Sequence, residues 1–248
     1  MLRVEELTLA YGTNPVLERA SLAVEAGQFV SLVGPSGSGK STLLRAIMGL
    51  QAPLAGRIET DYQPGEIGIL FQDDALLPWR SVLDNVALGL RLKGVARPEA
   101  IEIARAWLER LGLRGLNERY PRALSGGQRK RVALAQVLAR EPKLLLMDEP
   151  FAALDAIVRV RVSQDLVRLV DSQHISVLFV THDLEEALAL SDTVYLLSQG
   201  PRARITAHYP VDIPRPRDVV QARTHPSFAP LLARLWRDLS FEVGSVAG

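Results

Sequence analysis

Phe29-Val30-Ser31-Leu32-Val33-Gly34-Pro35-Ser36-Gly37-Ser38-Gly39-Lys40-Ser41-Thr42 decides the fold. A short β-rich run enters a glycine-rich turn, and a helical pattern continues from Ser41 through Leu50. Strand, Gly-rich loop and helix form the context in which G-x-x-x-x-G-K-[ST] binds phosphate. Its glycines let backbone N–H groups wrap a polyphosphate, and the helix N-terminus favours the negative charge. Lys40 is then placed for the β- and γ-oxygens, and the Ser41 hydroxyl for Mg²⁺.

Outward from this stretch, Val4–Leu9, Leu22–Val24, Gly56–Glu59 and Gly65–Phe71 read as further strands, with turns at Tyr11-Gly12 and Ala26-Gly27. From Asp73 to Arg140 the period becomes helical: Val82, Val86 and Leu90, then Ile101, Ala104, Leu108 and Leu111. Strand-like runs return at Leu144–Met147, Val177–Val180 and Val194–Leu197. The alternation predicts a parallel-rich α/β core, residues 1–72 and about 142–213, interrupted by a helical insert over 73–141. Asp212–Asp218 reads as an irregular proline-arginine linker, followed by a short amphipathic helix from Pro226 to about Leu239 within the tail 214–248. The arginines between Arg202 and Arg223 read as a solvated surface.

Leu144-Leu145-Leu146-Met147-Asp148-Glu149 is an apolar strand ending in two acids. Asp148 at the strand end can hold Mg²⁺, and Glu149 stands where a carboxylate can polarise a water in line with a γ-phosphate. Leu124-Ser125-Gly126-Gly127-Gln128 is a second Gly-rich anion-binding element, opening a helix through about Arg140. By position alone Gln72 is a surface residue at a strand end; beside a phosphate loop its amide can reach Mg²⁺ or the attacking water. His182, in Val180-Thr181-His182-Asp183, likewise reads as either a surface histidine or a group at the nucleotide. His174, His208 and His225 read as structural.

Among 248 residues the lysines are Lys40, Lys93, Lys130 and Lys143, which makes Lys40 in the loop conspicuous. The net charge of +1 supplies no polyelectrolyte field, so nucleic acid is not an expected partner. There is no cysteine for a disulfide or thiolate ligand. The N-terminus carries Glu5 and Glu6 where a secretory signal needs an apolar run, and no stretch approaches the roughly 18 apolar residues of a span. The expectation is a cytoplasmic chain that meets a membrane through a partner.

The phosphate loop, Gln72, Leu124–Gln128, Asp148-Glu149, Ala153-Leu154-Asp155 and His182 occur in the order found in ABC transporter ATPases, and the chain resembles that family over residues 1–213. The resemblance implies an α/β P-loop NTPase (RecA-like) core with an antiparallel β subdomain and a helical insert, hydrolysing ATP with Mg²⁺. It implies that Tyr11 stacks on adenine and that Gly34, Pro35, Ser36, Gly37, Ser38, Gly39, Lys40, Ser41 and Thr42 cradle the phosphates. Ser41, Gln72 and Asp148 serve the metal; Glu149, His182, Gln72 and Lys40 serve the chemistry. Ser125, Gly126, Gly127 and Gln128 bind the ATP of an opposite subunit, and Asp155 links the two sites, so ATP closes a head-to-tail homodimer.

Phe71–Val86, Asp148–Asp155, Val180–Leu188 and Asp212–Asp218 are similar to the nitrate/sulfonate/taurine importer group. That implies a separately encoded transmembrane permease, an extracytoplasmic substrate-binding protein engaged indirectly, and a peripheral place on the inner face of the cell membrane. By that likeness Leu76, Leu77 and Trp79 line the groove for the permease, while Leu76 is equally a core residue of the insert. A soluble ABC ATPase in scaffold or assembly work is the reading from another class, and a thiamine-precursor pyrimidine is another solute open to an importer. The interval from Lys40 to Leu124 is too short for the coiled-coil insertion of repair or condensin-like relatives.

Overall fold

The computed structural model describes residues 1–152 and 154–244. Ten residues of alternating burial form β1 (Leu2–Tyr11), which turns at Gly12, with φ near +60°, into β2 (Asn14–Val24). The sequence shows only the end of β2, because polar and charged residues such as Glu18 and Arg19 interrupt its alternation. β3 (Phe29–Val33) is buried along its whole length and leads through the phosphate loop to α1 (Lys40–Ile47). β4 (Ala55–Thr60) and β5 (Ile67–Leu70) follow.

The insert holds α2 (Val82–Leu92), capped by the Ser81 hydroxyl, α3 (Arg97–Arg110), opened by Pro98 and stopped before Gly112, and α4 (Gly126–Leu138). Then come β6 (Leu144–Asp148), α5 (Ala156–Gln173), β7 (Ser176–Thr181), α6 (Leu184–Leu190), β8 (Thr193–Leu197) and β9 (Ile205–Pro210). The tail forms α7 (Val219–Ala222) and α8 (Phe228–Gly244).

β2-β1-β4 make an antiparallel sheet, and β5-β6-β7-β3-β8-β9 a six-stranded sheet in which β9 alone runs antiparallel. Parallel strands covered on both faces read as continuous apolar runs, which is why β3, β6 and β7 were legible. β9 was not, because on this edge strand only Tyr209 is fully buried and the rest of Ile205–Pro210 is half-buried or exposed. One buried cluster joins one face of the large sheet to the insert and α5–α8; the other lies between its opposite face, α1 and the small sheet. The side chains of β3, β6 and β7 alternate between the two clusters. β3, β6 and β7 share one parallel register, so the loop, Asp148-Glu149 and Thr181-His182 all leave the same sheet edge.

The tail departs from expectation. Arg217 is 5% exposed, bonded to Asp192 at 2.9 Å and to the carbonyls of Leu190 and Ile213. Arg215 bridges Asp171 and Asp192, and Arg204 pairs with Glu18. Arg217 and Arg215 clamp the tail to the core, and only Arg217 leaves the surface: Arg202, Arg204, Arg215 and Arg223 are exposed, as a solvated patch requires. Asp171, Asp192 and Glu18 lie far off in sequence, so no local pattern announces the pairing.

Candidate active site

Lys40 opens α1 and is 5% exposed; its Nζ donates to the carbonyls of Gly34 at 2.8 Å and Pro35 at 2.7 Å, which ties the loop in its curl. A side chain at Gly34 would sit 2.8 Å from the Leu197 carbonyl, and Gly39 has φ near +92°, so both need glycine. Ser38 is fully buried beneath this turn. No side chain caps α1, leaving its first-turn amides as donors for an anion. Ser36, Gly37, Gly39, Lys40, Ser41 and Thr42 line a cavity of about 410 Å³, faced by Tyr11, Gln72 and Glu149. Val16, missed in the sequence, lines it too. Tyr11 is 51% exposed and its hydroxyl lies 3.4 Å from Thr42 Oγ1, which together with Arg45 lowers the phenol's pKa.

β6 delivers Asp148 against the Ser41 hydroxyl. Burial raises the Asp148 carboxyl above its ordinary range, opposed by that hydrogen bond and by Lys40, and reinforced by Glu149. Burial lowers Lys40, and the carboxylates of Glu149 and Asp148 pull it back. Glu149 has φ near +42°, a region costly for a branched or bulky L-residue, and its N–H is held by the Val180 carbonyl at 2.9 Å. Its carboxylate lies 3.2 Å from His182 Nδ1, and His182 is half-exposed at the end of β7. A hydroxyl and a carboxylate side by side are the hard oxygen donors Mg²⁺ takes when phosphates complete its shell. Among the described residues no group of three or more His, Cys, Asp or Glu could hold a metal ion.

The second glycine-rich element stands apart. Ser125 caps α4: its hydroxyl accepts from Gln128 N at 3.2 Å, and the Gln128 side chain accepts from Ser125 N at 3.0 Å. A side chain at Gly127 would lie 2.6 Å from Val158 Cγ1 on α5, whose N-cap Asp155 accepts from Val158 N at 3.0 Å. Ser125–Gln128 and Asp155 thus meet at the adjoining starts of α4 and α5, and none of them lines the Lys40 cavity. Ala153 lies outside the described residues. Leu76 packs against the core, Leu77 N bonds Asn85 Oδ1 at 2.7 Å, and Trp79 is 71% exposed. No helix among the described residues is long and apolar enough to cross a membrane.

The family model described as ABC transporter matches residues 17–152. The chain is 46% identical over 249 residues to an aliphatic sulfonates import ATP-binding protein of Mesorhizobium japonicum, covering 99% of this chain and 94% of that one. It is 44% identical over 223 residues to the taurine import ATP-binding protein of Escherichia coli K12, covering 87% and 86%. Among solved structures it is similar to the dimeric post-hydrolysis state of the ATP-binding cassette MJ0796 bound to ADP and Pi, with a TM-score of 0.78, 30% identity, and coverage of 86% of this chain and 100% of that one. A lysine-tied phosphate loop, a strand-end acid pair with its histidine, and relatives of nearly the same length lead to one conclusion: the chain belongs to the ABC transporter ATP-binding family, and it is an ATPase on a P-loop fold.

Proposed function

We propose that this chain converts ATP and water to ADP and phosphate to power a membrane importer for an organosulfonate, acting as a head-to-tail homodimer. Its ATPase unit takes residues 1–213, a core of 1–72 and 142–213 around the insert 73–141, with 214–248 as an appendage. The observation that carries the reading is Glu149, held in a left-handed conformation 3.2 Å from His182 and facing the Lys40 cavity.

Gly34–Thr42 and the uncapped start of α1 hold the phosphates, Lys40 neutralises them, and Tyr11 stacks on the base. Ser41, Gln72 and Asp148 hold Mg²⁺, which when bound neutralises charge on the β- and γ-phosphates. The Glu149 carboxylate takes the proton of the attacking water, and His182 donates to the γ-phosphate. Ser125–Gln128 lie outside this chain's cavity, so they serve the ATP of a second copy, and Asp155 joins the two sites.

The sulfonate and taurine names of the relatives supply the solute class, and the exposed Trp79 supplies a contact for a separately encoded permease at the inner face of the membrane. The substrate-binding protein meets the permease and not this chain. Glu149→Gln is expected to bind ATP, accumulate as a dimer and lose turnover by about 10²-fold or more, the loss of a general base. Phosphate release at the unaltered rate sinks the assignment.

A further inference from the structure

Lys130 is one of four lysines and the site above does not use it. It lies in the second turn of α4, is 3% exposed, and spends its ammonium on one short segment. Nζ donates to the Gln72 carbonyl at 2.9 Å and to the Phe71 carbonyl at 3.3 Å, and pairs with Asp74 Oδ1 at 3.0 Å. All three ammonium donors are thereby used. Arg129 adds a second arm, with Nε 3.3 Å from Asp74 Oδ2 and Nη1 donating to the Leu124 carbonyl at 2.8 Å. Asp74 is thus gripped by two successive cations of α4.

The next residue, Ala75, has φ near +52°, a conformation that a residue with a Cβ adopts at a cost, so the segment is held in shape from outside. At its far end α4 meets β5, where a side chain on Gly68 would lie 2.6 Å from Val137 Cγ1. The Gln72 side chain faces the chain's own nucleotide cavity, while the start of α4 carries Ser125–Gln128.

We infer that Lys130 is a positioning residue that locks the Gln72 segment to the start of α4, so that ATP in a chain's own cavity sets the pose of the Ser125–Gln128 element offered to its neighbour. This rests on the head-to-tail reading and assigns its coupling to Lys130 and Asp74. A lysine clamp suits the task because it grips backbone carbonyls: the segment's position, and not one side chain's rotamer, is what α4 follows.

The test uses the full-length chain in the Glu149→Gln background, titrating ATP and measuring dimer by sedimentation velocity. Lys130→Met is expected to raise the ATP concentration for half-maximal dimer by about tenfold or more, within the usual range of coupling between sites. ADP affinity of the monomer should stay within about twofold, because Lys130 touches no nucleotide group. Asp74→Asn should act in the same direction, and the double variant should add little to either single change. Single variants that dimerise at the parent's ATP concentration overturn the inference alone, as does a shift accompanied by equal loss of monomer ADP affinity. A Glu149→Gln parent that stays monomeric at saturating ATP overturns the head-to-tail reading and the inference with it.

Discussion

Ser125 caps α4 with its hydroxyl, and we assign that same hydroxyl to the neighbouring copy's γ-phosphate. Asp is as good an N-cap as Ser, but its carboxylate repels a phosphate. Ser125→Asp should therefore leave the thermal midpoint nearly unchanged, within about 0.5 kcal/mol of stability, and leave monomer nucleotide binding intact. ATP-driven dimerisation and hydrolysis should be lost, and collapse of monomer affinity would refute the trans role. Glu186 on α6 offers a test of a different kind. It is 7% exposed, and burial, reinforced by Asp183, pushes its carboxyl up to about 7 against the pull of Arg159. Between the ordinary value of 4.5 and about 7 the folded chain holds a proton the unfolded chain has released, so Glu186 makes stability fall as pH rises. Its share is up to about 3 kcal/mol, and chemical denaturation at pH 5 and 8 should find that slope reduced in Glu186→Gln. The positions of Lys40, Asp148 and Glu149 after apolar strands were legible because strand, turn and helix leave a local pattern, and the structure brings the three together. Lys130 and Glu186 were not, since their burial and partners arise only when distant segments meet.

Elements with one exposed face or with long-range ionic partners were the hardest to read. The polar outward residues of β2 hide most of its length, and β9 is mostly half-buried or exposed on an edge. In the tail, Gln164 of α5 bridges the Arg217 carbonyl and Val219 N, while the Arg217 guanidinium fills the turn beneath Leu190 and Ile213. α8 is fastened to β9 by the Tyr209 hydroxyl on Asp238, with Arg234 over the Tyr209 ring at 5.0 Å. Arg217→Met should cost roughly 2–4 kcal/mol, because it leaves buried carbonyls without donors and Asp192 with one cation fewer. Denaturant unfolding checks this; a change under about 0.5 kcal/mol is the surface outcome and would contradict the clamp.

At the scale of the whole molecule, one chain presents two separate elements: a lysine-tied loop with its acids and histidine, and a pair of helix starts capped by Ser125 and Asp155 that does not line the loop's cavity. In the proposed head-to-tail arrangement two copies would complete two sites, each with a loop from one chain and Ser125 from the other. Lys40→Ala and Ser125→Asp therefore damage opposite halves. Mixed in equal amounts, they leave one intact site of two in each mixed pair, so activity should return, to at most about half of the unaltered level. The measurement is ATP-dependent phosphate release from each variant alone and from the mixture. The account predicts two inactive parents and an active mixture; a mixture as inactive as its parents would contradict it.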